Sequence, residues 1–210
     1  MFRHTSFQPW LSIWTSPRAT IAKIVQEGPN KGLWLLAAIY GFSGLLNFFQ
    51  SISVGTRIGL LPIFFLAILL SPLWGYVSFS LWSFAVWLTG KWVKGTASFS
   101  ILRCAYAWSC VPYVINVLLW VLLAGVFGQT LFMNQVDGYA LTRKEMAFLF
   151  LILVLRIGVG IWSLVIYLNA LAEVQKYSVL RAIGNVLLAL LLMGVVFWLL
   201  SFLLSIRFTT

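Results

Sequence analysis

The side chains that could do chemistry are few and far apart. The carboxylates are Glu27, Asp137, Glu145 and Glu173, and the only histidine is His4. General acid–base catalysis needs titratable groups within hydrogen-bond reach of one substrate. Asp137 and Glu145 share one connection between apolar runs, Glu27 and Glu173 lie on the other side, and nothing in the sequence brings the last two together. One histidine near the start cannot supply a Ser–His–Asp relay. There is no Gly-x-Ser-x-Gly turn, and Gly90-Lys91 to Gly95-Thr96 has neither the order nor the spacing of a phosphate loop. Cys104 and Cys110 match no zinc or dithiol pattern. The expectation is a non-enzymatic chain with no metal and no cofactor.

One residue is out of place in a different way. The charged residues, 14 Lys or Arg and 4 Asp or Glu, collect between five apolar runs, except Arg156, which sits inside the fourth. An ionised side chain in hydrocarbon is costly, so a buried one marks a candidate site. No carboxylate is expected at its depth. Its compensation must come from backbone carbonyls, from Asn47 or Asn116, from an aromatic face, or from a bound anionic group such as a lipid phosphate. Gly158 and Gly160 would allow a helix or a lipid chain to come close. The alternative is a long side chain snorkelling along Leu and Val to the interface.

The elements around Arg156 follow from the runs, residues 32–56, 58–90, 104–136, 146–172 and 182–206. Each exceeds the roughly 18 apolar residues that a spanning helix needs. The residues are 62% hydrophobic and 9% charged, so the chain reads as an all-α integral membrane protein. The first run would serve as an uncleaved anchor. The second and third runs are too long for one upright span and too short for two. Pro62, Pro72 and Gly75 suggest that the second is a single crossing kinked near Pro72, with a re-entrant leading segment as the alternative. The third is expected to span from about Ser109 to Phe127.

Five crossings with the N-terminus inside place Arg3, Arg18, Lys23, Lys31, Lys91, Lys94, Arg103, Lys176 and Arg181 in the cytoplasm. Arg57, Arg143, Lys144 and Arg207 fall outside, in accord with the positive-inside rule. The expected N-terminus is cytoplasmic and the expected C-terminus lies outside. The net charge of +10 is scattered over short connections, which suits anionic lipid rather than nucleic acid. Trp10, Trp14, Trp34, Trp92 and Trp108 fall at the inner boundary as a belt, whereas Trp82, Trp120, Trp162 and Trp198 read as packing residues.

Residues 1–31 form an N-terminal segment and 32–207 a five-helix domain. Within the first, Ser16-Pro17 starts and Gly28-Pro29 stops a short amphipathic helix carrying Ile21, Ile24 and Val25 on one face. It lies on the membrane surface or packs under the bundle. On the same side, Glu173 ends the fourth helix, where a carboxylate opposes the dipole unless Lys176, Arg181 or Arg103 offsets it. Ser178 can cap the fifth helix three residues before Arg181.

Around this connection the sequence resembles a known family. Trp162-Ser163-Leu164-Val165, then Ala170-Leu171-Ala172-Glu173-Val174-Gln175 and Ser178-x-x-Arg181-Ala182, resemble the end of the Yip domain, named for Ypt/Rab-interacting proteins. Trp14-Thr15-Ser16-Pro17-Arg18 with Ile21 is similar to its opening in short bacterial members. Gly90, Gly95, Ser98-Phe99, Leu102-Arg103-x-Ala105-Tyr106-Ala107 and Pro112 match the stretch leading into its third span. The resemblance implies five spans, a cytoplasmic N-terminus, and an inner-face motif of Glu173, Ser178, Arg181, Arg103 and Tyr106. It implies a trafficking-like scaffold with membrane lipids, a homo-oligomer or a membrane-protein partner. GTPase binding is not carried over, because the Asp-Leu-Tyr-Gly-Pro motif is missing. A lipid or small-molecule transporter using Arg156, Asn47 and Asn116 is the alternative.

Overall fold

The computed structural model describes residues 8–133 and 140–209, with side chains to residue 203. Arg3, His4 and Asp137, and the side chain of Arg207, lie outside the described residues. The described chain is helical: α1 (Pro9–Thr15), α2 (Pro17–Glu27), α3 (Leu33–Ser51), α4 (Leu60–Trp92), α5 (Phe99–Ser109), α6 (Tyr113–Phe127), α7 (Arg143–Gln175) and α8 (Val179–Thr209). Short 3-10 turns follow α3, at Val54–Thr56, and α6, at Gly128–Phe132. Five helical segments are long and apolar enough to cross a membrane: Leu33–Ser51, Leu60–Trp92, Tyr113–Phe132, Arg143–Gln175 and Val179–Leu203.

α3 and α4 form the tightest pair, and glycine is the reason. A Cβ on Gly41 would collide with the Ser71 carbonyl, and one on Gly75 with the Ala37 carbonyl. Ala37 and Gly41 on one helix thus interlock with Ser71 and Gly75 on the other, small residues four apart that let two backbones touch. α4 is one continuous helix from Leu60 to Trp92 with Pro72 inside it. Proline supplies no N–H to the Ile68 carbonyl four residues back. The Ser71 hydroxyl donates to that carbonyl instead, at 2.9 Å.

The third run divides. Residues 110–112, Cys-Val-Pro, separate α5 from α6, so the span begins at Tyr113 rather than near Ser109. α5 lies inside the protein, with Leu102, Cys104, Ala105, Ala107 and Trp108 all buried. Trp108 is therefore a core residue and not part of a belt; Trp10 of α1 meets it edge-on at 5.5 Å. Trp34 and Trp92 are exposed, as a belt requires, and so are Trp162 and Trp198, which were expected to pack.

α2 has the expected bounds, with Ser16 before it and Gly28 after it at φ 144°. Ile21 and Ile24 are buried in a cluster with Trp108, Ile166 and Ala170, so its apolar face rests on α5 and α7. At the opposite end, Thr142 and Glu145 close a capping box on α7, with the Thr142 N–H donating to Glu145 at 2.8 Å. α8 packs on α4 and α7 only through its first half, where Ala182, Asn185, Val186 and Ala189 are buried.

Candidate functional site

α7 carries Arg156 thirteen residues from its start, about 20 Å along the axis. The guanidinium carbon lies 4.4 Å from the centre of the Trp120 ring on α6. This is a cation–π contact, strongest where water is excluded. Arg156 Nε and Nη2 are buried without a hydrogen-bond partner, and so are Trp120 Nε1 and Asn116 Oδ1, one turn before Trp120 on the same helix. The aromatic face thus supplies part of the compensation and leaves two nitrogens unsatisfied.

Asn47 is exposed on α3 and joins none of these groups. A Cβ on Gly158 or Gly160 would meet nothing within 4 Å, so no helix approaches closely there. A recess of about 310 Å³ opens between α4, α5, α7, α8 and the start of α6, lined by Trp82, Tyr106, Tyr113, Ser163 and Tyr167. Trp82 donates to the Tyr167 hydroxyl at 3.0 Å, and Ser163 to the Ser109 carbonyl at 2.8 Å. Arg156, Asn47 and Asn116 do not line it.

The end of the bundle that carries α2 and the α4–α5 and α7–α8 connections holds Arg18, Lys23, Lys31, Lys91, Lys94, Arg103, Lys176 and Arg181. Glu173 pairs with Lys176 at 2.6 Å, and Glu27 with Lys31 at 2.7 Å. With Glu145 engaged in its cap, each described carboxylate has a partner within four residues along the chain. Such contacts fix helix ends. The Arg181 N–H donates to the Ser178 hydroxyl at 3.4 Å.

Arg103 forms no ion pair with Glu173. It donates to the Tyr76 hydroxyl at 2.7 Å and to Asn30 at 3.2 Å, tying α5 to α4 and to the loop before α3. Beside it, burial pushes the Cys104 thiol up to about 12, against the pull of the Arg103 charge, so the thiol stays protonated and unreactive. Tyr106 sits among aromatic rings, 5.1 Å from Tyr167 and 5.5 Å from Phe79. The inner-face motif therefore does not converge on one point. Its members serve separate joints between helices.

A second buried polar cluster had no signal of charge to reveal it. Asn185 of α8 is fully buried. Its amide accepts from the Thr89 hydroxyl at 2.7 Å and donates to the Val86 carbonyl at 3.3 Å and to the Tyr177 hydroxyl at 3.0 Å. Burial raises the Tyr177 pKa while the Asn185 hydrogen bond works the other way, so the hydroxyl stays protonated. Gln175, at the end of α7, accepts from the Ala97 N–H at 3.0 Å. A Cβ on Gly90 or Gly95 would strike the Gln175 amide, so both glycines make room for it. These groups lock the α4–α5 connection to the α7–α8 connection. The sequence offered one clue, uncharged amides flanking a turn between apolar runs, where a buried polar group must find a partner.

Comparison with known proteins adds one positive result. The Yip1 domain matches residues 11–200 of this chain. No curated protein matches, and no solved structure matches. The match runs from α1 into α8 and takes in all five apolar spans together with both locked connections, and on that coverage the chain belongs to the Yip1 domain family, as a multi-pass integral membrane protein.

Proposed function

We propose that this protein is a non-enzymatic membrane-organising scaffold of the Yip type, acting through helix–helix and lipid contacts. Residues 1–31 face the cytoplasm, and the C-terminus faces the far side of a bacterial cytoplasmic membrane. The observation that carries this reading is the uncovered half of α8. From Leu190 to Ser201 every residue is exposed or half-exposed, so this apolar surface is open to lipid chains and to a neighbouring helix alike. The basic end suits anionic head groups.

The test uses Leu191→Cys. Cys104 and Cys110 are buried, so the new thiol is accessible where they are not. Oxidation in native membranes is expected to trap a covalent pair, either of two copies or of one copy with another membrane protein. Recovery of monomer alone, in membranes and in mild detergent, overturns the reading. A reporter fused after Thr210 tests the orientation, and a cytoplasmic signal would reverse it.

The unpartnered nitrogens of Arg156 favour a second reading, a transporter of lipids or small anionic molecules. Against it, Arg156, Asn116 and Asn47 share no cavity with the hydroxyl-lined recess. Flux in reconstituted vesicles that is lost in Arg156→Leu would establish transport. Absence of flux would exclude it.

A further inference from the structure

α1 and α2 lie beside the basic-end half of α7 and leave a groove of about 440 Å³ between them. Trp14, Pro17 and Arg18 form one wall, and Trp162, Val165 and Asn169 the other. Trp162 and Val165 are exposed on the outer surface of a spanning helix, so the groove opens sideways toward lipid. Along α7 the wall changes character over seven residues, about 10 Å, from the Trp162 indole to the Asn169 amide. That is the polarity profile of the upper part of one lipid molecule. Trp14–Arg18 and Trp162–Val165, two of the segments that resemble the Yip domain, thus face each other across it.

The polar mouth is fixed. The Asn169 amide donates to the Val165 carbonyl at 2.9 Å and accepts from Arg18 Nε at 3.2 Å. This bond holds the exposed Arg18 side chain in place and leaves its two terminal nitrogens without a hydrogen-bond partner. No described carboxylate neutralises it, because Glu27 and Glu173 are held by Lys31 and Lys176, and Glu145 caps α7 at the far end. The cation therefore stands at the polar end of an apolar groove, paired with no described carboxylate.

We propose that this groove holds one anionic phospholipid, its phosphate on the terminal nitrogens of Arg18 and an acyl chain along Trp162 and Val165. An arginine fork suits phosphate oxygens, and indole rings suit the region where head group meets chain. A soluble anion would leave the apolar wall uncovered, and a zwitterionic lipid would leave the excess positive charge. The assignment rests on the lipid-contact part of the proposed function and does not depend on self-association through α8.

The experiment measures how much phosphatidylglycerol and phosphatidylcholine the full-length protein retains in mild detergent, by native mass spectrometry, with thermal unfolding as the check on folding. The wild type is expected to retain phosphatidylglycerol in preference. Arg18→Gln should weaken that retention about tenfold, the loss of one charge-assisted contact. Arg181→Gln, an exposed cation at the same end outside the groove, should lower it far less than Arg18→Gln does. Val165→Trp, which fills the apolar end, should lower retention of phosphatidylglycerol without lowering the unfolding temperature. Equal loss in Arg18→Gln and Arg181→Gln would overturn the site in favour of diffuse surface charge. Unchanged retention in Val165→Trp, or displacement of the lipid by millimolar inorganic phosphate, would overturn the acyl-chain placement and with it the proposal. Covalent trapping at Leu191→Cys reads the scaffold separately, so failure of one leaves the other standing.

Discussion

α3 and the second half of α8 are opposite answers to the same problem. α3 has the lowest mean hydropathy of the five spans, 1.4, and the largest buried share of its apolar window, 44%. α8 has the highest hydropathy, 2.8, and the smallest buried share, 11%. In water this order would be reversed. In a bilayer lipid chains are as apolar as leucine, so hydrophobicity drives a helix into the membrane but not onto its neighbour. Contact is decided by small residues and by buried polar groups. α3 has Ala37 and Gly41 against Ser71 and Gly75, whereas α8 has one polar anchor, Asn185, near its start.

The comparison breaks most directly at the glycines. Gly75→Leu should cost about 3 kcal/mol or abolish folding, because the added atoms meet the Ala37 backbone, which cannot move aside. Gly194→Leu, with open space around it, should change little. Unfolding in mixed micelles followed by tryptophan fluorescence compares the two, and equal effects would remove the contrast. Next in size is Asn185→Leu. It deprives the Thr89 and Tyr177 hydroxyls of their shared partner, with an expected loss of about 1–2 kcal/mol. Cross-linking between α4 and α8 should fall with it, since the anchored half is freed. Arg156→Leu should raise stability by about 1 kcal/mol, as removal of two unsatisfied buried nitrogens outweighs the Trp120 contact. A drop in the unfolding temperature would mean that the guanidinium has a stronger partner than the indole. The smallest effect belongs to Leu199→Ala, within about 0.5 kcal/mol for the isolated chain. Its effect should appear instead as a lower yield of trapped pairs in the Leu191→Cys background.

What could be read before the fold was known followed from the cost of charge in hydrocarbon. That cost marks the five crossings and singles out Arg156. Local backbone rules likewise give α2, from Ser16-Pro17 to Gly28. The Cys-Val-Pro break at residues 110–112 escaped notice because it lies inside an unbroken apolar run, where hydropathy does not distinguish a turn from a helix. Trp108 was placed at a boundary by its position in the chain, but α1 folds over it. Asn185 and Gln175 were invisible for a third reason. Their partners Thr89 and Ala97 lie 96 and 78 residues away, and pairing over such distances depends on how helices rotate against one another. Asn47 was grouped with Arg156 by residue type and shared setting, yet it faces outward.

α4 and α7 are each 33 residues long, about 50 Å, in a protein whose membrane offers about 30 Å of hydrocarbon. The excess on both lies partly at the basic end, where α5 packs on both helices and α2 on α7. These helices therefore meet the bilayer as a mismatched pair of struts. A thicker membrane draws more of their length inward and brings the α2 collar toward the head groups, while a thinner one pushes it away. The length beyond the hydrocarbon is thus where these two helices can carry protein contacts instead of lipid.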